Sequence, residues 1–316
     1  MPDVTIVMYH YVRNLDRSRY PEIKGLTVKR FKKQLNYLEK NYTIVRMEDC
    51  IEYLQGGKES FPENAALLTF DDGYLEHFTE VFPLLDQKGY QGSFFPPVQS
   101  TVEPIVLDVN KIHFILASAD EPENLLEVLS SEIWNLKAEF GLEDPEYYYC
   151  KITSKEHPYD PIEVIRFKRV LQRELPYSAR QIIISKLFDH FVGVKEEVFS
   201  NELYMNEGHL KTLIRCGMFV GGHGYSHKWL NAINSDKQTY EIEQTKQFLD
   251  HLGVESENQV MCYPYGGYDD SLISGLKKKG FVAGLTTEPK IADLNEDSRF
   301  RLSRFDTNEI RFSDTK

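Results

Sequence analysis

Four sites in this 316-residue sequence combine potentially reactive side chains with a preceding apolar, β-rich run of residues. They are His10, the pair Asp71 and Asp72, His223, and the stretch Tyr263-Pro264-Tyr265-Gly266. Chemistry in parallel α/β folds takes place at the carboxyl ends of the strands. We therefore expect the four sites to meet at one edge of a sheet or barrel.

The two adjacent carboxylates, Asp71 and Asp72, lie in the stretch Thr-Phe-Asp-Asp-Gly-Tyr. Neighbouring residues that leave a strand point in different directions. One carboxylate can therefore bind a metal ion while the other accepts a proton from a water molecule. The alternative is a helix N-cap followed by an acidic first turn, and so short a motif taken alone favours that alternative.

The second candidate motif is His-Gly-Tyr-Ser-His, in which His223 and His227 are four residues apart. This spacing puts both imidazoles on one side of a helix or an extended loop. Two imidazoles and one carboxylate form a known ligand set for divalent metals with open positions. Three nearby glycines allow the backbone to crowd a site closely. The alternative is a pair of incidental surface histidines.

The elements around these sites alternate between strand and helix up to Phe95 and again from Asn206. Such alternation predicts a parallel sheet in an α/β fold. Residues from about 99 to 205 have an almost wholly helical pattern. We predict a single domain over residues 1–316 with a helical insertion at about 99–205; the alternative is a separate helical domain.

Composition and charge exclude several functions. The formal net charge is −12, and no basic patch suited to nucleic acid is visible. No stretch reaches the ~18–20 apolar residues of a membrane-spanning helix, and the first residues lack a signal-peptide pattern. We therefore expect a cytoplasmic protein. No two of the four cysteines are close enough for a zinc-binding pair, so free thiols are expected.

The stretches TFDDGY, HGYSH and YPYGGYDD, in this order, resemble the motifs of the polysaccharide deacetylase family, which carries the NodB homology domain and is also called carbohydrate esterase family 4. The resemblance covers residues 1–98 and about 206–306, and it implies a distorted (β/α) barrel. It also implies that Asp71 is the catalytic base and that Asp72, His223 and His227 hold one divalent metal ion, commonly zinc. The backbone N–H of Tyr265 is then the expected oxyanion donor.

The sequence departs from the common motifs at three places. Gly224 stands where Ser or Thr is usual, and Tyr263 stands where the family usually has Arg. The late Leu-x-x-His that supplies the general acid is missing, because the only later histidine, His251, has the pattern of a buried helical residue. His10, within Met-Tyr-His-Tyr-Val, resembles the N-terminal motif of the permuted branch, the poly-β-1,6-N-acetylglucosamine deacetylases. This resemblance implies that His10 is the acid.

Two arginines, Arg301 and Arg304, lie in a late strand-like segment that also resembles this branch. One of them is expected to orient Asp71, as groups behind the ligands of metal sites do. The alternative is a solvated strand edge for both.

The activity that these patterns imply is metal-dependent removal of an N-acetyl group from an amino sugar, with release of acetate. The expected substrate is a surface-glycan precursor. The alternatives are a metal-dependent amidase acting on a non-sugar amide and a non-catalytic glycan-binding protein. The insertion is expected to cover the site as a lid; its candidates for sugar stacking, which can equally be structural, are Tyr147, Tyr148, Tyr149 and Tyr159.

Overall fold

The computed structural model describes residues 2–119, 121–152, 160–295 and 297–310. The chain divides into two compact units. The first comprises the residues up to Asn14, Gly25–Ile105, and the residues from Ser200 onward. The second comprises Leu15–Lys24 and Val106–Phe199.

The first unit is built on strands that are mostly parallel. They are β1 (Asp3–Tyr9), β2 (Val12–Arg13), β3 (Leu26–Thr27), β4 (Thr43–Ile44), β5 (Ala65–Asp71), β6 (Ser93–Phe95), β7 (Phe219–Val220), β8 (Val260–Cys262), β9 (Ala283–Leu285), β10 (Ala292–Asp293) and β11 (Phe305–Asp306). The main sheet has the order β10-β1-β5-β6-β7, with β4 beside β5 and β11 beside β1. Only the short β10 runs antiparallel to its neighbour in this sheet of the described chain.

Isolated bridges continue this sheet towards a closed ring. A parallel bridge between Gly222 and Met261 joins β7 to β8, and β8 pairs with β9. A second parallel bridge joins Leu285 of β9 to Leu302, three residues before β11 returns to β1. Single bridges in place of full ladders explain why the barrel is distorted. The predicted (β/α) barrel is confirmed.

Alternate strand residues form two separate buried layers. Ile6, Leu67, Phe95, Phe219 and Val260 belong to one cluster, although several of their strands are not neighbours in the sheet. Because the sheet curls towards a ring, we take this set as the one that faces the interior; the same cluster also includes Met47, Cys50, Ile51 and Leu54 of the helix that follows β4. The intervening strand residues pack against helices instead. Since the side-chain period of a strand is two, steps of two along the inner set lead to His10, Asp71, His223 and Cys262.

The helices, in chain order, are α1 (Val28–Asn41), α2 (Met47–Leu54), α3 (Phe82–Lys88), α4 (Val98–Val102), α5 (Asp108–Ser118), α6 (Pro122–Phe140), α7 (Pro145–Cys150), α8 (Ile162–Arg169), α9 (Tyr177–Phe191), α10 (Glu196–Leu203), α11 (Glu207–Arg215), α12 (Ser235–Leu252) and α13 (Asp270–Lys278). Thr27 caps α1 by accepting a hydrogen bond from the N–H of Arg30 at 3.1 Å.

A π-helical turn at His77–Val81 directly precedes α3. Within this turn the N–H of Phe82 donates to the carbonyl of His77, five residues earlier. Pro83 has no N–H to continue an ordinary α-helical ladder, and the wider turn accommodates that loss. His77 and Val81 are the buried residues of this turn.

The regular elements of the second unit, among the described residues, are all helices, as predicted for the insertion. Tyr148 is buried and accepts a hydrogen bond from the N–H of Glu143 at 3.1 Å, and Tyr149 bonds to Ser130 at 2.9 Å. These contacts favour structural roles for both rings. Tyr147 is half exposed, and Tyr159 lies outside the described residues. The single-domain assignment and the lid remain predictions.

Within the described part of the chain, no helix combines the length and the apolar character needed to span a bilayer.

Candidate active site

The strand-end side chains predicted from the sequence meet at the carboxyl edge of the barrel. Asp71 is the last residue of β5, and Asp72 follows in the left-handed region with φ of 71°. A left-handed residue directly after the strand turns the chain sharply, so the second carboxylate also faces the site. Gly73 continues the turn with φ of 67°. A Cβ at this position would lie only 2.7 Å from Cβ of Pro96, so the site has no room for a side chain.

Asp72, His223 and His227 form a compact group. The Nε2 atoms of His223 and His227 lie 3.4 and 3.1 Å from Oδ1 of Asp72. All three residues are buried, and their candidate ligand atoms lie within 4.8 Å of one another. Within the described residues, Oδ1 of Asp72 is buried without a hydrogen-bond partner. An unpartnered buried carboxylate oxygen between two imidazole nitrogens is the arrangement that a cation satisfies.

The orientation of His223 supports this interpretation. Its Nδ1 lies 2.8 Å from the carbonyl oxygen of Cys262, so Nδ1–H donates to that oxygen. In the neutral ring this leaves the lone pair on Nε2, which faces Asp72. A hydrogen bond from the remote nitrogen to a carbonyl is how metal-binding histidines are usually held.

Tyr74 holds the other oxygen of Asp72. Its hydroxyl donates to Oδ2 at 2.7 Å, and its ring stacks on Tyr11 with centroids 4.1 Å apart. Burial and the nearby Asp72 charge raise the pKa of the Tyr74 hydroxyl well above its ordinary value. The hydroxyl therefore remains a donor at neutral pH, and Asp72 is fixed with Oδ1 directed at the two histidines.

Asp71 is held by an arginine from the far end of the chain. Arg304 donates from both terminal nitrogens to the two carboxylate oxygens at 2.9 and 2.8 Å, and it is fully buried. Burial raises the pKa of Asp71, but the charges of Arg304, His223 and His10 outweigh it, and the pKa falls to about 2. Asp71 is therefore ionised at neutral pH. For Arg304 the solvated-edge alternative was wrong.

Arg301 has no such role in the structure. Its guanidinium is partly exposed and bonds to the exposed Asp270 at 2.6 Å. The solvated-edge alternative therefore describes Arg301.

A second group of possible ligands consists of Asp71, His223 and Cys262. Both oxygens of Asp71 are already engaged by Arg304. Burial raises the pKa of the Cys262 thiol, which donates to Oδ2 of Asp71 at 3.4 Å. A thiol that stays protonated is a poor ligand, so the group around Asp72 fits a metal ion better.

His10 follows β1 and is partly exposed. Its charge acts to lower the pKa of both Asp71 and Asp72, which places its imidazole in their vicinity. Its backbone carbonyl accepts a hydrogen bond from Nε2 of His77 at 2.7 Å. Burial lowers the pKa of His77 to about 4, so that ring is a neutral donor that anchors the peptide group of His10.

Tyr265 lies beside the histidine pair. Its backbone is in the left-handed region with φ of 57° and ψ of 13°, within the turn Pro264–Gly266. Its ring stacks on Trp229 with centroids 4.6 Å apart and meets the ring of His227 edge-on at 4.8 Å. The third motif is thereby brought to the same edge as the first two.

Sequence reasoning missed four residues with contacts at the site: Tyr74, His77, Glu241 and Cys262. Glu241 had a detectable signal, because it is an acidic residue on the face of α12 that buries Ile242 and Thr245. His251 was predicted to be buried in that helix and is instead exposed, bonding to Glu207 at 2.9 Å.

Comparisons with known proteins agree with this picture. A family model described as polysaccharide deacetylase matches residues 192–284, which include the histidine motif and Tyr263–Gly266 but not the aspartate pair. The putative polysaccharide deacetylase YxkH of Bacillus subtilis (strain 168) is 24% identical over 110 residues. That match spans 33% of this chain and 39% of YxkH, well under half of either protein.

Solved structures extend the likeness to nearly the whole chain. The deacetylase PplD of Streptococcus pyogenes, in complex with acetate, matches with a TM-score of 0.58 at 15% identity. The match covers 96% of this chain and 92% of the PplD chain. IcaB of Ammonifex degensii has a TM-score of 0.54 at 17% identity, with 96% and 91% covered. At such identities these likenesses concern the fold.

The fold and site thus define a NodB-type (β/α) barrel with a cluster of aspartates and histidines at its carboxyl edge. The matches in sequence and structure confirm the resemblance to the polysaccharide deacetylase family.

Proposed function

We propose that this protein is a metal-dependent carbohydrate de-N-acetylase, which hydrolyses the N-acetyl group of an amino sugar to acetate and a free amine. The observation that carries the proposal is the convergence of both His Nε2 atoms on the unpartnered Oδ1 of Asp72. Asp71 lies next in sequence, ionised and aligned by Arg304.

The residues present fit one divalent metal ion held by Asp72, His223 and His227. This mixed nitrogen and oxygen set leaves positions open and suits Zn²⁺, which stands above Co²⁺ in the usual affinity order. When bound, such an ion supplies a Lewis acid that polarises the amide carbonyl and makes a water molecule more acidic. Tyr74 keeps Asp72 in place for this role.

Asp71 takes the proton from the attacking water. Burial raises the pKa of Asp71, but the charge of Arg304 helps to lower it by more, so the carboxylate is ionised at neutral pH and can accept a proton. Arg304 keeps the carboxylate ionised and correctly oriented. The backbone N–H of Tyr265 stabilises the developing oxyanion, as preorganised donors do in amide hydrolysis.

His10 donates a proton to the departing amine. Imidazole suits this task because its unperturbed pKa of roughly 6.5 allows it to hold and release a proton near neutrality. His77 supports the role by holding the carbonyl of His10 at the end of β1.

The substrate that we propose is an N-acetylated surface-glycan precursor. The structure of the similar Streptococcus pyogenes deacetylase contains acetate, the co-product expected here. The cytoplasmic location remains a prediction.

Elemental analysis of the purified protein, together with acetate release from a panel of N-acetyl sugars, tests the proposal. Stoichiometric metal and acetate release from at least one sugar would support it. Metal with activity only on non-sugar amides would indicate an amidase, and glycan binding without turnover would indicate a binding protein.

A further inference from the structure

Hydrogen bonds hold the peptide groups between His223 and His227 from two sides. On one side, the first N–H groups of α4 point at the loop: Val98 donates to the carbonyl of Gly224 at 3.1 Å, and Gln99 donates to the carbonyl of Tyr225 at 2.9 Å. Two carbonyl groups of the loop are thus satisfied by a helix N-terminus.

On the other side, the loop is held by Glu241 of α12. Its Oε2 accepts hydrogen bonds from the N–H groups of Tyr225 at 2.8 Å and Ser226 at 3.0 Å. Its Oε1 accepts the hydroxyl of Ser226. Glu241 is only 4% exposed, so its carboxylate receives these three donors inside the protein. Hydrogen bonds to a buried charge are among the stronger ones in proteins.

Gly224 lies directly beside the carboxylate of Glu241. Gly224 has φ of 72°, and a Cβ there would lie 3.4 Å from Oε2 of Glu241. This is the position at which the resembling motif usually has Ser or Thr. A glycine relieves the backbone strain of positive φ, whereas the spacing to the carboxylate would itself be an ordinary contact. The departure from the motif therefore reflects the backbone conformation of the loop that Glu241 holds.

His227 needs such support. Its φ of 52° lies in the left-handed region, which a residue with a Cβ adopts only where its surroundings hold it there. Tyr225 and Ser226 are the two residues directly before it, and the carboxylate of Glu241 fixes the amide of each.

We propose that Glu241 is a positioning residue, whose carboxylate fixes the backbone between His223 and His227 so that both Nε2 atoms face Oδ1 of Asp72. This inference rests on the proposed metal site. Loss of groups that orient metal ligands from behind costs 10–100-fold in metal affinity. Removal of the Glu241 carboxylate is expected to have an effect of that size, without removing any ligand.

Co²⁺ binding to the metal-free full-length chain tests the inference, with calorimetry for affinity and the visible absorption spectrum for ligand geometry. We expect Glu241→Ala to bind Co²⁺ roughly 10–100-fold more weakly, with an altered spectrum. Glu241→Gln should bind as the wild type does, because a carboxamide oxygen can accept both N–H groups while its NH₂ donates to Ser226. The matched control is Glu243→Ala on the same helix, which removes only a surface contact with Lys279.

The outcomes separate the two proposals. If the wild-type protein binds no Co²⁺, the proposed metal site fails. If the wild type binds Co²⁺ and Glu241→Ala matches it in affinity and spectrum, the role of Glu241 is overturned. A Glu241→Gln variant as weak as Glu241→Ala would also overturn the hydrogen-bonding explanation.

If Glu241→Ala does not fold, Glu241→Asp provides the test, because it keeps the charge and shortens the side chain by one methylene group. Weaker Co²⁺ binding and faster amide hydrogen exchange at Tyr225 and Ser226 would support the inference. Unchanged affinity in this variant would overturn it.

Discussion

Replacement of Arg304 by methionine removes the partner of Asp71 while keeping a long side chain in the same buried space. In the wild type both side chains are almost fully enclosed and joined by two hydrogen bonds. Arg304→Met leaves a buried carboxylate without its cation. Breaking one side of a buried ion pair costs about 3–5 kcal/mol in the free energy of unfolding.

The pKa of Asp71 gives an independent magnitude. In the folded protein the pKa is about 2, against an ordinary value of 3.8. At 1.36 kcal/mol per pKa unit, this difference corresponds to about 2 kcal/mol of stability from the ionised carboxylate. Because the folded pKa is the lower one, this contribution is fully present above about pH 4 and is lost as the pH falls towards about 2.

Arg304→Met is expected to change this pH dependence. Without the guanidinium, burial raises the pKa of Asp71, so the variant folds best with the carboxyl protonated. The stability gap between wild type and variant should therefore be largest near neutrality. It should narrow as the pH falls through the raised pKa of Asp71 in the variant, and narrow further below about pH 4, where the wild type loses its own contribution. Turnover should fall as well, because a protonated Asp71 cannot accept a proton.

The measurement is urea unfolding of the metal-free protein between pH 3 and pH 7. A Trp134→Phe background leaves Trp229 as the reporter of the barrel unit, since the sequence has two tryptophans. The matched control is Arg301→Met, three residues away, whose exposed pairing with Asp270 should change stability by no more than about 0.5 kcal/mol. Equal stability of the two methionine variants at pH 7 would refute the reasoning, as would a gap that does not change with pH.

The remaining predictions concern the metal, the base and the acid. Alanine at Asp72, His223 or His227 should abolish metal binding, as measured by elemental analysis; full occupancy in His227→Ala would show that His227 is not a ligand. Asp71→Asn should keep the fold and the metal but lose on the order of 10²-fold or more in kcat, and normal turnover would reduce Asp71 to a structural residue. His10→Ala should retain metal and substrate affinity, lower kcat by roughly 10²-fold and remove the alkaline limb of the pH–rate profile; a retained limb would assign the acid to another group.

Much of the site was predictable because strand ends and strand periodicity are visible in the sequence. Asp71 and His223 follow apolar runs, and steps of two from the interior residues Leu67 and Phe219 lead directly to them. The same rule would have separated the two arginines. Leu302 belongs to the interior cluster, so Arg304, two residues later, is the one that turns inward.

Other contacts depend on tertiary geometry that no local pattern encodes. The left-handed backbone of Asp72 brings the second carboxylate back to the site, and aspartate, although it adopts that conformation more often than most residues, gives only a weak sequence signal for it. The π-helical turn at His77–Val81, which carries the ring that bonds to the carbonyl of His10, interrupts an otherwise ordinary helical pattern. The partners of Glu241 follow from the packing of α12 against the histidine loop, which joins residues 15 apart or more.

The link between Asp71 and Arg304 has a consequence for synthesis of the chain. The two residues are 233 positions apart, which corresponds to roughly 10–50 s of translation. During that interval β1 and β5 can pair, but the other edge of β1 waits for β10 and β11. An open strand edge is a template for association with other chains. The nascent protein therefore carries both an exposed sheet edge and an unneutralised Asp71 until its last strands emerge, and this interval is when protection by chaperones would matter most.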